Sequence, residues 1–266
     1  MIKLFLAVVL IITATLPALE PSLGRSLKLL YVRVAQSAAA FVEVQANIGC
    51  VGASTCNNSI TMTAGNANIV FVTWKDSVTL RTISSVADGD VTYTLGCTGG
   101  GLLAGNISLW YREDSTAGAK SVTATLSGVA DTVFTLTNTE LSGFALTSAL
   151  DKCDLTATAV APGTGTDAIV SASVTTDSNG QFIFGGLANN SAAASGNTAG
   201  TGYTRRSGTT AVRSTEDLVQ GAAGAITATY TTNRGTDTYL IGVATFREPS
   251  AAAGTNQGMT LRGAGQ

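Results

Sequence analysis

The chain is expected to be all-β, an antiparallel two-sheet β-sandwich, on three observations. Its 266 residues are rich in Thr, Ser, Val and Ala and include 30 Gly, a mixture of strand formers and turn formers. More than ten short segments of strand character are separated by turn residues. No segment sustains an apolar repeat of about 3.6 residues, and no fixed-period repeat is found, so helical bundles, solenoids and propellers are disfavoured.

The first element, residues 1–24, reads MIKLFLAVVLIITATLPALEPSLG: one Lys, an apolar run from Leu4 to Leu16, then Pro17. That is the layout of a secretory signal. The run is short against the roughly 20 residues of a membrane span. The best small-residue cleavage site, Ala38 to Ala40, lies late, so an uncleaved anchor or a start placed too early stay open as alternatives. Residues 25–40 are a connecting segment, 41–247 a single sandwich domain and 248–266 a flexible C-terminal tail with too little apolar content to pack.

Within the domain, FVEVQANI and SITMTA alternate as half-buried strands, and NIVFVTW is apolar enough to be buried on both faces. Gly65-Asn66 predicts a turn, and Asp88-Gly89-Asp90 predicts a tight hairpin, because Asp and Gly tolerate positive φ. Further strands are expected at NISLWYRE, SVTATLSG, TVFTLTNTEL, LTATAVA, AIVSASVTT, GQFIFGGLA, TGYTRRSG, TAVRSTEDLV, ITATYTT and TYLIGVATFRE. The stretch 189–202, NNSAAASGNTAGTG, is low in complexity and reads as a mobile surface loop.

Only 12 % of the residues are charged and the net charge is -2, so there is no basic field to draw nucleic acid, which is excluded as a partner class. No histidine is present, which removes the commonest general base and zinc ligand. No catalytic residue, metal or cofactor is assigned. In an exported chain Cys50, Cys56, Cys97 and Cys153 favour disulfides; of three connectivities we expect Cys50 with Cys56 and Cys97 with Cys153, four free thiols being the alternative.

Several residues raise the question of chemistry. Glu216 and Asp217 are adjacent, and neighbours in a strand point to opposite faces, so they cannot flank one bond as an acid/base pair; one is expected to accept bonds from backbone or an Arg, the other to face water. Glu140 should likewise pair with an Arg or cap a turn. Asp88 with Asp90, or Asp151 with Asp154, lack a full calcium ligand set and read as turn residues. Trp74, Trp110, Tyr111 and Tyr93 are expected mainly in the core rather than on a sugar-stacking face. Asn57, Asn106 and Asn189 begin Asn-x-Ser sequons. Tyr203 and Arg205 share a strand face and are the candidate ligand-binding residues, the competing reading being an ion pair from Arg205 to Glu216 or Asp217.

The succession GNANIVFVTW, TYTLG, ISLWYRED, GAKSVTATLSG, TNTELSG, STEDLVQGAAGAITATYTT and YLIGVATF resembles a group of jelly-roll-like β-sandwich modules of secreted bacterial proteins and uncultured-phage sequences. The resemblance covers residues 41–247, implies a jelly-roll-like fold and carries no active site. The expected function is a non-catalytic exported or surface-exposed structural or binding module for adhesion, assembly or display. A carbohydrate-binding module and a virion-associated protein are the alternatives. The expected location is secreted or at the cell or virion surface, with a glycan or protein surface as partner, no membrane span in the mature chain, and self-association left open.

Overall fold

A computed structural model describes residues 38–45, 48–76, 79–101, 105–130, 133–145, 147–160, 167–189, 197–207, 213–232 and 238–249. The signal-like segment 1–24, most of the connecting segment 25–40 and all of the tail beyond Pro249 lie outside the described residues. Those described fall in one compact unit and contain nineteen strands and no helix. The first nine are β1 (Ala40–Val44), β2 (Ile48–Gly49), β3 (Thr55–Met62), β4 (Ala67–Lys75), β5 (Ile83–Ala87), β6 (Thr94–Gly101), β7 (Gly105–Arg112), β8 (Gly118–Leu126) and β9 (Val133–Ser142). The others are β10 (Leu150–Val160), β11 (Asp167–Val170), β12 (Val174–Thr175), β13 (Phe182–Asn189), β14 (Asn197–Ala199), β15 (Thr204–Ser207), β16 (Arg213–Val219), β17 (Ala225–Ile226), β18 (Thr229–Thr232) and β19 (Thr238–Phe246).

The chain is an all-β sandwich, and among the described residues every strand pairing is antiparallel. Two large sheets run β1-β9-β4-β7-β6, with β2 also on β9, and β10-β19-β13-β16-β15. Two smaller ones run β3-β8-β5 and β11-β18-β14, the latter continued past a break by β12-β17. Ser171 N donates to Ala228 O at 2.9 Å across that break. These orders repeat. Setting β10, β19, β13, β16 and β15 on β1, β9, β4, β7 and β6 superposes the order of the large sheets, and β11, β18 and β14 then fall on β3, β8 and β5. The fold is thus two copies of one strand plan.

Burial explains why the central strands read as they do. In β4, Ile69 and Phe71 point into a core shared with Phe182, Phe184, Leu240 and Phe246 of the second copy. Val70, Val72 and Trp74 point the other way, onto Ile60, Met62, Val122 and Ala124 of the small sheet. In β19, Leu240 and Ala244 face the shared core, whereas Tyr239, Ile241 and Val243 face Ile169, Ala228 and Tyr230. Four layers result, small sheet, large sheet, large sheet, small sheet, so both large sheets are covered on both faces. The outer strand β3 has one exposed face and alternates strictly. Each fully buried Phe of the shared core contributes about 1.5–3 kcal/mol.

The copies meet closely at their centre. The rings of Phe71 and Phe184 have centroids 5.9 Å apart, and Gly186 makes the notch for Phe71: a Cβ there would lie 2.6 Å from its ring. At one side the edge strands β6 and β10 touch, Gly99 against the Leu155 carbonyl, and the Cys97–Cys153 disulfide ties them. At the other side the Arg206 guanidinium of β15 lies 3.9 Å from the Phe41 ring centroid of β1. Because β10 is the counterpart of β1 and β15 of β6, the two side contacts are counterparts too, as in an isologous dimer.

Two local expectations change. Asp88-Gly89-Asp90 does turn, with Gly89 at φ 88°, but the only bridge beyond it is Ala87 with Thr92. β5 then joins the small sheet and β6 the large one, so the segment crosses the sandwich instead of forming a hairpin. Within the low-complexity stretch, Asn197–Ala199 form β14: the buried Asn197 Oδ1 accepts from Ser214 Oγ at 2.8 Å, while residues 190–196 lie outside the described residues.

Candidate functional site

β16 places Glu216 and Asp217 on opposite faces, as alternation requires. Both are buried, so neither faces water. Glu216, 0 % exposed, accepts from Gly200 N through Oε2 at 3.0 Å and from Thr229 N through Oε1 at 3.1 Å, bracing its large sheet against the small one. Burial pushes its carboxyl up to about 7, against the opposing pull of those two N–H groups. Asp217 looks into the large-sheet interface and accepts from Arg206 Nε at 2.5 Å and Nη2 at 3.0 Å. Burial raises this carboxyl too, with Arg206 opposing.

The candidate pair Tyr203 and Arg205 does share a face, but that face looks toward the small sheet. Tyr203 is half-buried and its hydroxyl donates to Thr227 O at 2.8 Å. Burial, then the neighbouring Glu216 charge, raises its hydroxyl. Arg205 is exposed and donates through Nη1 to the Asn197 carbonyl. The ion pair considered for Arg205 belongs instead to Arg206. The pairing of β15 with β16 slips between Arg205 and Ser207, a bulge that lets Arg206 reach Asp217.

The remaining acids serve turns and strand ends. Glu140 Oε1 accepts from Thr63 N and Asn66 Nδ2, each at 2.7 Å, and so holds the β3–β4 turn. Asp88 Oδ1 accepts from Asp90 N and Val91 N, and its Oδ2 pairs with Arg112. Burial raises Asp88, but those N–H groups and Arg112 outweigh it and hold the carboxyl below the usual range. Asp90 takes Lys120, and Asp76 takes both Arg81 N and Arg81 Nη1. Asp151 accepts from Gln181 Nε2 at 2.7 Å and pairs with Arg247, whereas Asp154 accepts from its own neighbour Thr156. Among the described residues no group of three or more His, Cys, Asp or Glu could hold a metal ion.

The cysteines pair as Cys50–Cys56 and Cys97–Cys153, with Cα atoms 5.4 and 6.0 Å apart. Trp74, Trp110 and Tyr93 are buried and Tyr111 packs at the edge of the shared core. Of the sequon residues, Asn57 is exposed while Asn106 and Asn189 are buried. No described helix is present to cross a membrane.

A cleft of about 510 Å³ opens where β5 and β6 part. Leu80, Arg81, Thr82 and Ile83 form one wall. Leu95, Thr98, Gly99 and Gly100 form the other, with Trp74, Asn106 and Thr156 completing the lining. Leu80 and Leu95 are 55 % and 46 % exposed. Trp74 Nε1 donates to Arg81 O at 3.1 Å and so anchors the first wall. Sequence reasoning did not reach this cleft, because it depends on β5 and β6 joining different sheets. Comparison with protein-family models, curated proteins and solved structures finds no match.

Proposed function

We propose that the protein is a non-catalytic module, exported and exposed at a cell or virion surface, that contributes adhesion, assembly or display. The observation that supports this most is how its buried acids are engaged: Asp76, Asp88, Glu140, Glu216 and Asp217 are all committed to backbone N–H groups or arginines that join strands. A glycoside hydrolase of the ordinary kind needs two carboxyls facing one bond about 5–10 Å apart. Two disulfides suit an oxidising compartment. We read each copy as a jelly-roll variant, its larger sheet having the first strand beside the last and its fifth strand moved to that sheet's edge. The carbohydrate-binding reading is the second, favoured by the open cleft at β5 and β6. Trypsin shaving of intact producing cells or particles, followed by peptide mass spectrometry, tests the surface reading. Peptides of residues 41–247 released with all four cysteines oxidised are expected; recovery only from the lysed cytoplasm, with free thiols, would sink it.

A further inference from the structure

The outer sheet β3-β8-β5 carries three loops at one of its ends. Thr55 opposes Thr125 and Ile83 opposes Leu126, so the loop entering β3, the loop entering β5 and the loop leaving β8 all stand at that end. Main-chain bonds hold them together: Leu126 N donates to Ser54 O at 2.8 Å, Ala130 N to Ala53 O at 3.1 Å and Ser127 N to Thr82 O at 2.9 Å. The Cys50–Cys56 disulfide closes the first loop. Among the described residues the three most exposed large hydrophobic side chains are Val51 at 66 %, Leu80 at 55 % and Val129 at 53 %, one on each of these loops. Apolar side chains scattered singly over a surface need no explanation, but three gathered on adjoining loops mark a contact surface. The charged groups among the described residues of these loops are Asp76 and Arg81, and they answer each other, Nη1 to Oδ1 at 2.9 Å.

We propose that this tip docks on an uncharged lipid bilayer, with Val51, Leu80 and Val129 entering the boundary between headgroups and acyl chains. A stable interface between folded proteins takes about 20–30 residues a side, more than three loop tips supply, which argues against a second copy of the chain or another protein as the occupant. A bilayer needs no matching surface: it accepts each aliphatic group separately, in proportion to the apolar area taken from water. The charge balance selects among lipids. Anionic headgroups are held by clustered Lys and Arg, and the described residues of the three loops contain one Arg, already bonded to Asp76. Main-chain groups that enter an apolar medium must be bonded within the protein, and the bonds among the loops meet part of that need at shallow depth. This inference names the surface that the adhesion reading leaves open and rests on that reading, while the tip's affinity for lipid is measured apart from the cell.

Flotation with vesicles of phosphatidylcholine alone, at low and at high salt, tests it. The chain is taken from Arg25, which keeps every described residue and leaves out the apolar run Leu4 to Leu16, itself able to bind lipid. It is expected to float with the vesicles to the same extent at both salt concentrations. Val51→Asp, Leu80→Asp and Val129→Asp, all at exposed positions, should each weaken binding at least tenfold with unchanged thermal unfolding. Val170→Asp, on the exposed surface of β11, should not. If one of the three fails to fold, the other two carry the comparison. No flotation with phosphatidylcholine, flotation only after phosphatidylglycerol is added and lost at high salt, or equal flotation of folded Val51→Asp and Val129→Asp would overturn the proposal. A dimer in sedimentation that Val129→Asp dissociates would overturn it too, by giving the tip to a second copy. None of those results bears on surface shaving, so the two readings fail separately.

Discussion

Replacing Glu216 by Gln should remove most of a pH dependence of stability that the buried carboxyl creates. Its folded pKa is pushed up to about 7 from an ordinary 4.5. Between those values the folded state keeps a proton that the unfolded state has lost, so stability falls as pH rises through this window. A displacement of about 2.5 pK units corresponds to roughly 3 kcal/mol lost by pH 8. Gln cannot ionise, so its curve should be flatter across the window, with the residual slope coming from Asp217, which burial also raises. The amide cannot accept at both ends, and either Gly200 N–H or Thr229 N–H loses its partner, at about 1–3 kcal/mol. The variant should therefore be the less stable protein at pH 4.5 and about level with the native chain near pH 7–8. Urea titrations followed by tryptophan emission at half-unit steps from pH 4.5 to 8.5 measure this. A native slope that survives intact in Glu216→Gln would refute the assignment. Below pH ~4 the direction reverses, because Asp88 and Asp151 lie below the ordinary carboxylate range and their bonds are lost on protonation.

Other outcomes follow from the packing. Removing the Cys97–Cys153 disulfide, with a sequence separation of 56, should cost about 4 kcal/mol by loop entropy, against about 2 for Cys50–Cys56 with a separation of 6. Midpoints of urea unfolding for the two double Ser variants give the comparison. Gly186→Ala should cost about 1–3 kcal/mol, because its Cβ would sit 2.6 Å from the Phe71 ring. Gly221→Ala, with nothing within 4 Å, should cost little, and thermal unfolding separates the two. Arg206→Ala should lose about 2–3 kcal/mol at pH 7, since it strands the buried Asp217 and uncovers Phe41, and less as pH falls, because burial favours the protonated form of Asp217.

The strands were largely legible in the sequence, because alternation and turn residues are local signals. NIVFVTW announced burial on both faces, and β4 has it. What covers those faces was not legible: the second large sheet arrives from more than a hundred residues away. The repeat also escaped detection. Its counterpart strands, ANIVFVTWK and FIFGGLAN, share burial and position but hardly any residues. Gly185-Gly186 look like strand weakeners until Phe71 is seen filling the space above the second. At the candidate site, two-residue alternation put Tyr203 and Arg205 on one face, yet could not say that this face turns toward the small sheet, where Tyr203 is half-buried while Arg205 stays exposed. Nor could it anticipate the slip that hands Asp217 to Arg206. Asn106 carried no sign beyond its sequon.

Two copies of one strand plan stand on a common core and should therefore open together. Hydrogen exchange read by mass spectrometry at increasing urea below the unfolding midpoint tests it most directly. Peptides covering β4, β7 and β9 should reach the same opening free energy as those covering β13, β16 and β19, with the same urea dependence. If the second set opened at lower urea while the first stayed protected, the copies would be independent domains and the shared-core account would be contradicted.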